Sequence, residues 1–308
     1  MKKAWVLGAS GQDGSYMCDL LTGWDYEVTA LVRPGGSIRH LPVGSPRLRI
    51  EIGDLCSRGV QQKIAAARPD EVYHFACGAQ VDHSFSDPET FIQVGPLATT
   101  QLLEALRLGS PETRVYHAAS SAMFPGEPGQ LGATSPYAVA KVATHLMAQL
   151  YRDHHGMFVV SGVSYNHESA RRPPTAVSMK LACAALRYRA SGKTISLGNV
   201  DVLRDWHHAK DTVRGAWLAL QQLDPQDVVF CSGVARTVRS LAETVFDAAN
   251  VRYADVVQTE NILPGRKTDF ATKPVAPQGP PGWDLQIPFE EMVGDLLHGA
   301  PSWMGELR

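Results

Sequence analysis

The chain has 308 residues, enough for one large α/β unit or a major domain with a smaller lobe, and its 44% hydrophobic and 19% charged content is ordinary for a globular protein. A formal net charge of -2 gives no electrostatic reason to expect nucleic acid or an anionic membrane as partner. No apolar run approaches the ~20 residues of a membrane span, and Met1-Lys2-Lys3 leads into Ala4-Trp5-Val6-Leu7 without a leader segment, so a cytoplasmic protein is expected. The five cysteines (Cys18, Cys56, Cys77, Cys183 and Cys231) are scattered in apolar contexts with no metal-ligand spacing and read as buried, reduced thiols.

Ala4–Leu7 is a short apolar run followed directly by Gly8-Ala9-Ser10-Gly11-Gln12-Asp13-Gly14, and an amphipathic stretch begins at Ser15 and runs to about Trp24. Strand, glycine turn and helix in that order are the context in which such a pattern binds a dinucleotide. The glycines permit a tight turn and let backbone N–H groups at the helix N-terminus approach a pyrophosphate. Gly8, Ser10, Gly11, Gln12, Asp13 and Gly14 are therefore candidate cofactor-binding residues. Glu27–Val32 predicts the second strand, followed by Arg33-Pro34-Gly35-Gly36-Ser37. An NAD-selective site places an acid here for the ribose 2′-hydroxyl. Arg33, with Ser37 and Arg39 close behind, suits a 2′-phosphate instead, so NADP is expected, with NAD as the alternative cofactor and a solvated loop arginine as the bland reading.

Further strand and helix signals alternate. Leu48–Ile52 leads to Gly53-Asp54-Leu55, a helix is expected over Gly59–Ala67, and Glu71–Phe75 reads as a strand ending in Ala76-Cys77-Gly78. A helix over Phe91–Leu106 and a strand over Arg114–Ala118 follow. This alternation implies a Rossmann-type, doubly wound parallel sheet, whose ligands lie beyond the carboxyl ends of the strands. Asp54 and Leu55, Ala76, and Ala118-Ala119-Ser120-Ser121 all fall at such ends.

Ser135-Pro136-Tyr137-Ala138-Val139-Ala140-Lys141 opens a long helix expected over Tyr137–His154. Tyr137 and Lys141, four apart, share one helix face. An ammonium beside a phenol favours the phenolate, which makes Tyr137 a candidate general acid/base for a sugar or alcohol oxygen. Ser120 is placed to meet the same carbinol. Beyond them, Phe158–Val163 reads as a strand feeding an Asn166-His167-Glu168 turn, Val177–Ala190 as a helix and Thr194–Leu197 as a short strand. Helices are also expected over Ala209–Leu223, Val238–Ala249 and Phe289–His298. Arg171-Arg172 reads equally as a phosphate or subunit contact and as an exposed basic loop. The expected division is a dinucleotide-binding unit over 1–165, to which some later segments return, and an interleaved substrate lobe over 166–308.

With these residues placed, the chain resembles the extended short-chain dehydrogenase/reductases, and within them the GDP-mannose 4,6-dehydratase family of nucleotide-sugar enzymes. The motifs that carry the resemblance are Gly8–Tyr16, the Tyr137/Lys141 pair, Tyr165–Arg172, and Ser196–Asp201 continuing through Arg204–Asp211. It implies that Ser120, Tyr137 and Lys141 are catalytic, that Asn166, Lys180, Arg204 and Arg266 hold the nucleotide diphosphate, and that the enzyme is a homodimer or homotetramer acting on a nucleotide sugar or nucleoside. Several departures stand out. Ala122 occupies the place of the family glutamate that handles the C5 proton and the departing C6 hydroxyl. Only sixteen residues separate Ser120 from Tyr137. Gly78-Ala79-Gln80 replaces a more polar triplet, and the region from Ile262 to Trp283 is compressed and proline-rich. The expected activity is a dehydratase working by transient oxidation, water elimination and hydride return. The alternative is a 4-epimerase or 4-keto-sugar reductase without the elimination, and a silent cofactor-binding scaffold is disfavoured by the intact Ser120, Tyr137 and Lys141. Glu168 and His167 are the nearest replacements for the missing acid/base, with a structural role as the equal reading of each, and His83 and the Tyr137 phenol used twice are the further candidates.

Overall fold

The computed structural model describes residues 1–78, 81–125, 129–259 and 275–305. The chain begins with β1 (Lys2–Leu7), α1 (Gln12–Gly23) and β2 (Tyr26–Val32), followed by β3 (Leu48–Ile52), α2 (Arg58–Ala66) and β4 (Glu71–His74). Helix α1 starts three residues before the expected Ser15, because Gly11 serves as its N-cap and the glycine motif itself enters the first turn. Next, α3 (Val81–Ser86) and α4 (Pro88–Ile92) run through a π-helical turn, Gln93–Leu97, into α5 (Ala98–Gly109). The single helix expected over Phe91–Leu106 is thus interrupted: Pro96 lies inside that turn, has no N–H for the regular ladder, and the wider turn accommodates it.

β5 (Arg114–Ser120) and α6 (Pro136–His155) precede β6 (Val159–Ser164) and β7 (Asn166–Glu168). The remainder comprises α7 (Val177–Ser191), β8 (Ile195–Leu197), β9 (Leu203–His208), α8 (Ala209–Leu220), β10 (Val228–Phe230) and β11 (Ala235–Thr237). It closes with α9 (Val238–Ala248), α10 (Tyr253–Val256), β12 (Val257–Thr259) and α11 (Phe289–Gly299).

Among the described residues, seven strands form one parallel sheet in the order β3-β2-β1-β4-β5-β6-β10. The chain winds outward from β1 to β3 and then returns to the other side of β1 with β4. The carboxyl ends of β1 and β4 therefore flank the topological switch point, where open α/β sheets bind ligands. Both faces of the sheet's centre are covered, so β4 and β6 are buried along their whole length, whereas edge strand β3 alternates apolar and charged residues. Ala4, Val6, Val28 and Ala30 join Met17 and Leu21 of α1 and Val213 and Leu220 of α8 in one core. Trp5, Leu7, Val72 and Val115 face the other way, against Ile64 of α2, Leu102 and Leu106 of α5 and Tyr151 of α6.

A further core draws together α7, α9 and α11 around Trp206, Leu241, Phe246 and Leu296. Two small sheets accompany it, β11-β9-β7 and β12-β8. Asn166-His167-Glu168, expected as a turn, is strand β7, paired in parallel with β9 so that Asn166 lies opposite Trp206 and His167 opposite His207. A three-residue polar strand has no apolar alternation to betray it; its conformation is imposed by its partner.

Candidate functional site

At the switch point, Gly8 has φ +75°, and a Cβ there would lie 2.7 Å from the backbone nitrogen of Ala76. A side chain at Gly14 would overlap the Gly8 carbonyl oxygen. These two positions admit only glycine, because the turn after β1 is pressed both against the end of β4 and against the first turn of α1. Gly11 closes the turn by donating its N–H to the Gly8 carbonyl at 3.0 Å, and as N-cap it supplies no side-chain oxygen to the first N–H groups of α1. The turn is thus a narrow, backbone-lined cradle at a helix N-terminus, which fits a dinucleotide pyrophosphate.

The side chains of Gln12 and Asp13 point elsewhere, into the seam with β7. Gln12 Nε2 donates to the His167 carbonyl at 3.0 Å, Gln12 Oε1 accepts from Ser169 Oγ at 2.8 Å, and Asp13 Oδ2 meets His167 Nε2 at 2.9 Å. Ser10 is half-buried at the rim. Arg33 is exposed just past β2, where its carbonyl accepts from Gly36 N at 2.8 Å. Arg39 is engaged elsewhere: its guanidinium stacks on Trp303, 3.4 Å from the ring centre. Asp54 is exposed past β3 and caps its own turn through Cys56 N at 2.9 Å, while Leu55 is buried beside it.

Ser120 is the last residue of β5, and its Oγ accepts from Ala122 N at 3.2 Å. Ser135 caps α6 by accepting from Ala138 N at 3.1 Å, and Pro136 occupies the first turn, so the helix begins immediately before Tyr137. Lys141, one turn on, is 5% exposed; its Nζ donates to the Ala118 carbonyl at 2.6 Å and lies 5.8 Å from the centre of the Tyr137 ring. Burial acts to lower the lysine pKa, but Cys77, Tyr137 and Asp13 outweigh it and the net displacement is upward, so the ammonium persists in the interior. The Tyr137 ring is steadied edge-on by Phe91 at 6.1 Å. Ser120, Tyr137 and Lys141 are thus assembled by the end of β5 and the start of α6.

Sequence reasoning missed Cys77. It stands close enough to the Lys141 ammonium to help hold that group's pKa up, and both Cys77 and Cys56 are only partly buried, unlike the buried thiols expected for all five cysteines. The two residues are distant in sequence and meet only because β4 and α6 flank β5. Behind Lys141 lie His74 and His117, neighbours on β4 and β5 with ring centres 5.7 Å apart, both held below their ordinary pKa by burial and then by the lysine charge.

In the second half, Asn166 on β7 and Arg204 on β9 are brought onto one face of the small sheet by the pairing of Asn166 with Trp206. Arg204 donates to the Leu203 carbonyl at 2.9 Å. Lys180 is exposed on α7, and Arg266 lies outside the described residues. Glu168 is buried, accepting from Ser178 Oγ at 2.6 Å and ion-paired with Arg172 Nε at 3.1 Å, so it is structural and not a replacement acid/base. Arg171 and Arg172 do not form an exposed basic loop: Arg171 pairs with Asp19 and stacks over Tyr16 at 3.9 Å. The two acids of the Arg204–Asp211 stretch hold backbone. Asp205 accepts from Ser232 N and Gly233 N at 2.7 and 2.8 Å, and Asp211 accepts from Gln286 N and Ile287 N, both at 3.2 Å. A surface cavity of about 620 Å³ lined by Lys2, Arg68, Glu71 and Arg114 opens at the opposite, amino-terminal ends of the strands, away from these groups.

The sequence profile of the family described as GDP-mannose 4,6 dehydratase matches residues 5–276. A GDP-mannose 4,6-dehydratase of Vibrio cholerae is 37% identical over 263 residues, spanning 79% of this chain and 70% of the relative. One from Yersinia enterocolitica is 35% identical over 348 residues, spanning 97% of this chain and 94% of its own. Among solved structures, a dTDP-glucose 4,6-dehydratase from Streptomyces venezuelae with NAD and TYD bound superposes with a TM-score of 0.83 at 22% identity, covering 99% of this chain and 98% of its own, a likeness of fold. The chain belongs to the GDP-mannose 4,6-dehydratase family.

Proposed function

We propose that this chain is an NADP-dependent dehydratase of a nucleotide sugar, or of a nucleoside, with Tyr137 as general base. The observation that supports the reading is the buried Lys141 ammonium of α6, bonded to β5 two residues before Ser120 and one helical turn from Tyr137, in a sheet whose glycine turn after β1 packs against the end of β4. Gly8, Ser10, Gly11 and Gly14 supply the backbone cradle for the pyrophosphate, Gln12 and Asp13 brace it from behind, and Arg33 takes the 2′-phosphate. Asp54, Leu55 and Ala76 border the adenosine and nicotinamide ends, so residues 1–165 carry the cofactor and 166–308 most of the substrate site. A bound nicotinamide supplies hydride acceptance and return. Tyr137 takes the proton of the hydroxyl being oxidised, Ser120 holds that oxygen by a hydrogen bond, and Lys141 stabilises the phenolate. Asn166, Lys180, Arg204 and Arg266 take the phosphates of the substrate.

One observation favours a second reading, a 4-epimerase or 4-keto-sugar reductase. Ala122, half-buried in the turn directly after Ser120, brings no carboxylate to the place where elimination needs one. Exposed apolar side chains on α5 and α6 (Leu108, Val139, Leu146 and Leu150) support assembly into a homodimer or a larger homo-oligomer. Five free cysteines suit a reducing compartment such as the cytoplasm.

The deciding experiment incubates the protein with NADP and a GDP-hexose, following absorbance near 340 nm and product mass. Loss of one water with no net change in reduced cofactor is the expected result. Unchanged mass with no cofactor change points to epimerisation, and net NADPH consumption with a keto-sugar points to reduction.

A further inference from the structure

Two contacts of His167 fix its protonation by geometry. Its Nδ1 lies 2.8 Å from the Tyr165 carbonyl oxygen and its Nε2 lies 2.9 Å from Asp13 Oδ2. A carbonyl and a carboxylate only accept, so both ring nitrogens carry a proton and the ring is an imidazolium. The other Asp13 oxygen accepts from Gln12 Nε2 at 3.1 Å, as an ionised carboxylate does. Burial acts to lower the His167 pKa, but the charge and hydrogen bond of Asp13 outweigh it, and the net displacement is upward. For Asp13, burial acts upward, and His167, Gln12 and Arg172 together bring the net displacement downward. The other groups facing the pair are Arg172, whose charge opposes the His167 proton, and His207 on β9, kept neutral by burial and then by the His167 charge. Tyr116 on β5 and Lys141 on α6 sense the Asp13 charge from the sheet side.

Asp13 sits in the first turn of α1, whose N-terminus takes the cofactor pyrophosphate on the dinucleotide reading, on which this inference rests. An acid in a first turn stabilises its own helix. It also places a negative charge where a doubly charged ligand must come. We propose that the His167 imidazolium cancels the Asp13 charge beneath the pyrophosphate site, so that dinucleotide affinity depends on one proton held by the second half of the chain. His167 touches no cofactor atom; it is a positioning residue acting through Asp13. Because Gln12 and Ser169 bond across the same seam, the loop and β7 move as one piece, and neutralisation and alignment arrive together.

The test measures NADPH and NADH binding to the purified protein by fluorescence titration, with His167→Gln, Asp13→Asn and the double variant. His167→Gln is expected to weaken NADPH by roughly three- to thirty-fold, the effect of one charge at a partly buried helix N-terminus. Asp13→Asn in the same chain should return affinity to near wild type, since no uncancelled charge remains. Wild-type affinity should fall as pH rises through the elevated His167 pKa, and ¹⁵N NMR of the cofactor-free protein should show both His167 nitrogens protonated at pH 7. The inference is overturned if His167→Gln binds as wild type, if the double variant is as weak as His167→Gln, or if the ring is a neutral tautomer. Should His167→Gln fail to fold, the ¹⁵N spectrum and the wild-type pH dependence decide. A wild-type protein that binds neither NADPH nor NADH refutes the dinucleotide reading itself, whereas wild-type binding unaffected by the substitution refutes this inference alone.

Discussion

Lys141 Nζ is hydrogen-bonded at 2.6 Å to the carbonyl oxygen of Ala118, two residues before Ser120 on β5. One ammonium therefore sets the height of α6 against the strand that ends in Ser120, and so the relation of Tyr137 to Ser120. This gives different signatures to two substitutions. Tyr137→Phe keeps the ring and its Phe91 contact, so dinucleotide binding and thermal stability should be retained while turnover falls by ~10²–10⁴-fold, the loss typical of a general acid/base. Lys141→Met should lose turnover and also about 1–3 kcal/mol of stability, because the Ala118 carbonyl is left without its partner. Steady-state kinetics and thermal melts on the two variants separate the effects. Near-wild-type turnover in Tyr137→Phe would sink the assignment of the base.

Acid should destabilise the fold from an unusually high pH. His74 is pushed down to about 3 by burial and then the Lys141 charge, and His117 and His207 are also held low by burial. Each has a folded pKa below the ordinary value of ~6.5, so each contributes stability that is present above that value. As pH falls below it, the unfolded chain gains protons that the folded chain refuses, at up to ~1.4 kcal/mol per pH unit per histidine. The depressed carboxylates Asp13, Asp227 and Asp295 act in the same direction only further down, through the carboxylate range. His167 has the opposite sign: its contribution is complete below pH ~6.5 and is lost as pH rises through its raised value. Urea unfolding between pH 7.5 and 5 should show a steep loss; a flat profile would mean that the three histidines are hydrated and titrate normally.

These histidines mark where sequence reading stops. The Gly8 turn, the Leu48–Ile52 strand and the start of α6 were legible because each rests on local chemistry: a glycine turn directly after an apolar strand, apolar residues alternating with charged ones at a sheet edge, and a serine and a proline opening a helix. Ser120, Tyr137 and Lys141 could be placed together because strand ends in a doubly wound sheet share one edge. Cys77 beside Lys141, and His167 against Asp13, depend on pairings between segments far apart in the chain, and no local pattern announces them. Of the two equal readings of Arg171 and Arg172, the exposed basic loop does not hold for Arg171 for the same reason, since its partner Asp19 lies on α1, far away in sequence.

Arg33 stands exposed at the end of β2, and Arg39 is occupied by Trp303, which leaves Arg33 as the side chain best placed for a 2′-phosphate. Arg33→Ala should weaken NADP by roughly ten- to a hundred-fold, the size of a charge-assisted hydrogen bond, and leave NAD almost unchanged. Titration with both dinucleotides checks this. Equal weakening of the two would assign Arg33 to holding the loop and not to selecting the cofactor.

The outcome of the reaction turns on Ala122. A dehydration must remove the proton beside the new ketone and protonate the departing hydroxyl, and a ketone positions neither transfer by itself. Glu168 is excluded by its bonds to Ser178 and Arg172, and His167 by its commitment to Asp13. Of the candidates read from the sequence, those left among the described residues are the Tyr137 phenol, used twice, and His83, exposed on α3 with its ring 6.2 Å from Phe91, which in turn stands 6.1 Å from Tyr137. If the enzyme dehydrates, turnover in D₂O should place solvent deuterium at the carbon next to the oxidised one. His83→Ala should then slow elimination if the imidazole carries it, and leave it unchanged if Tyr137 acts alone. Ala122→Glu restores a carboxylate two residues after Ser120, and it should preserve or raise dehydration of a GDP-hexose. Product that keeps its oxygen count and gains no solvent deuterium would remove both dehydration and epimerisation at the adjacent carbon. What then remains is a chain in which Ser120, Tyr137 and Lys141 move a hydride and a proton at a single carbinol, the chemistry of a keto-sugar reductase or a 4-epimerase.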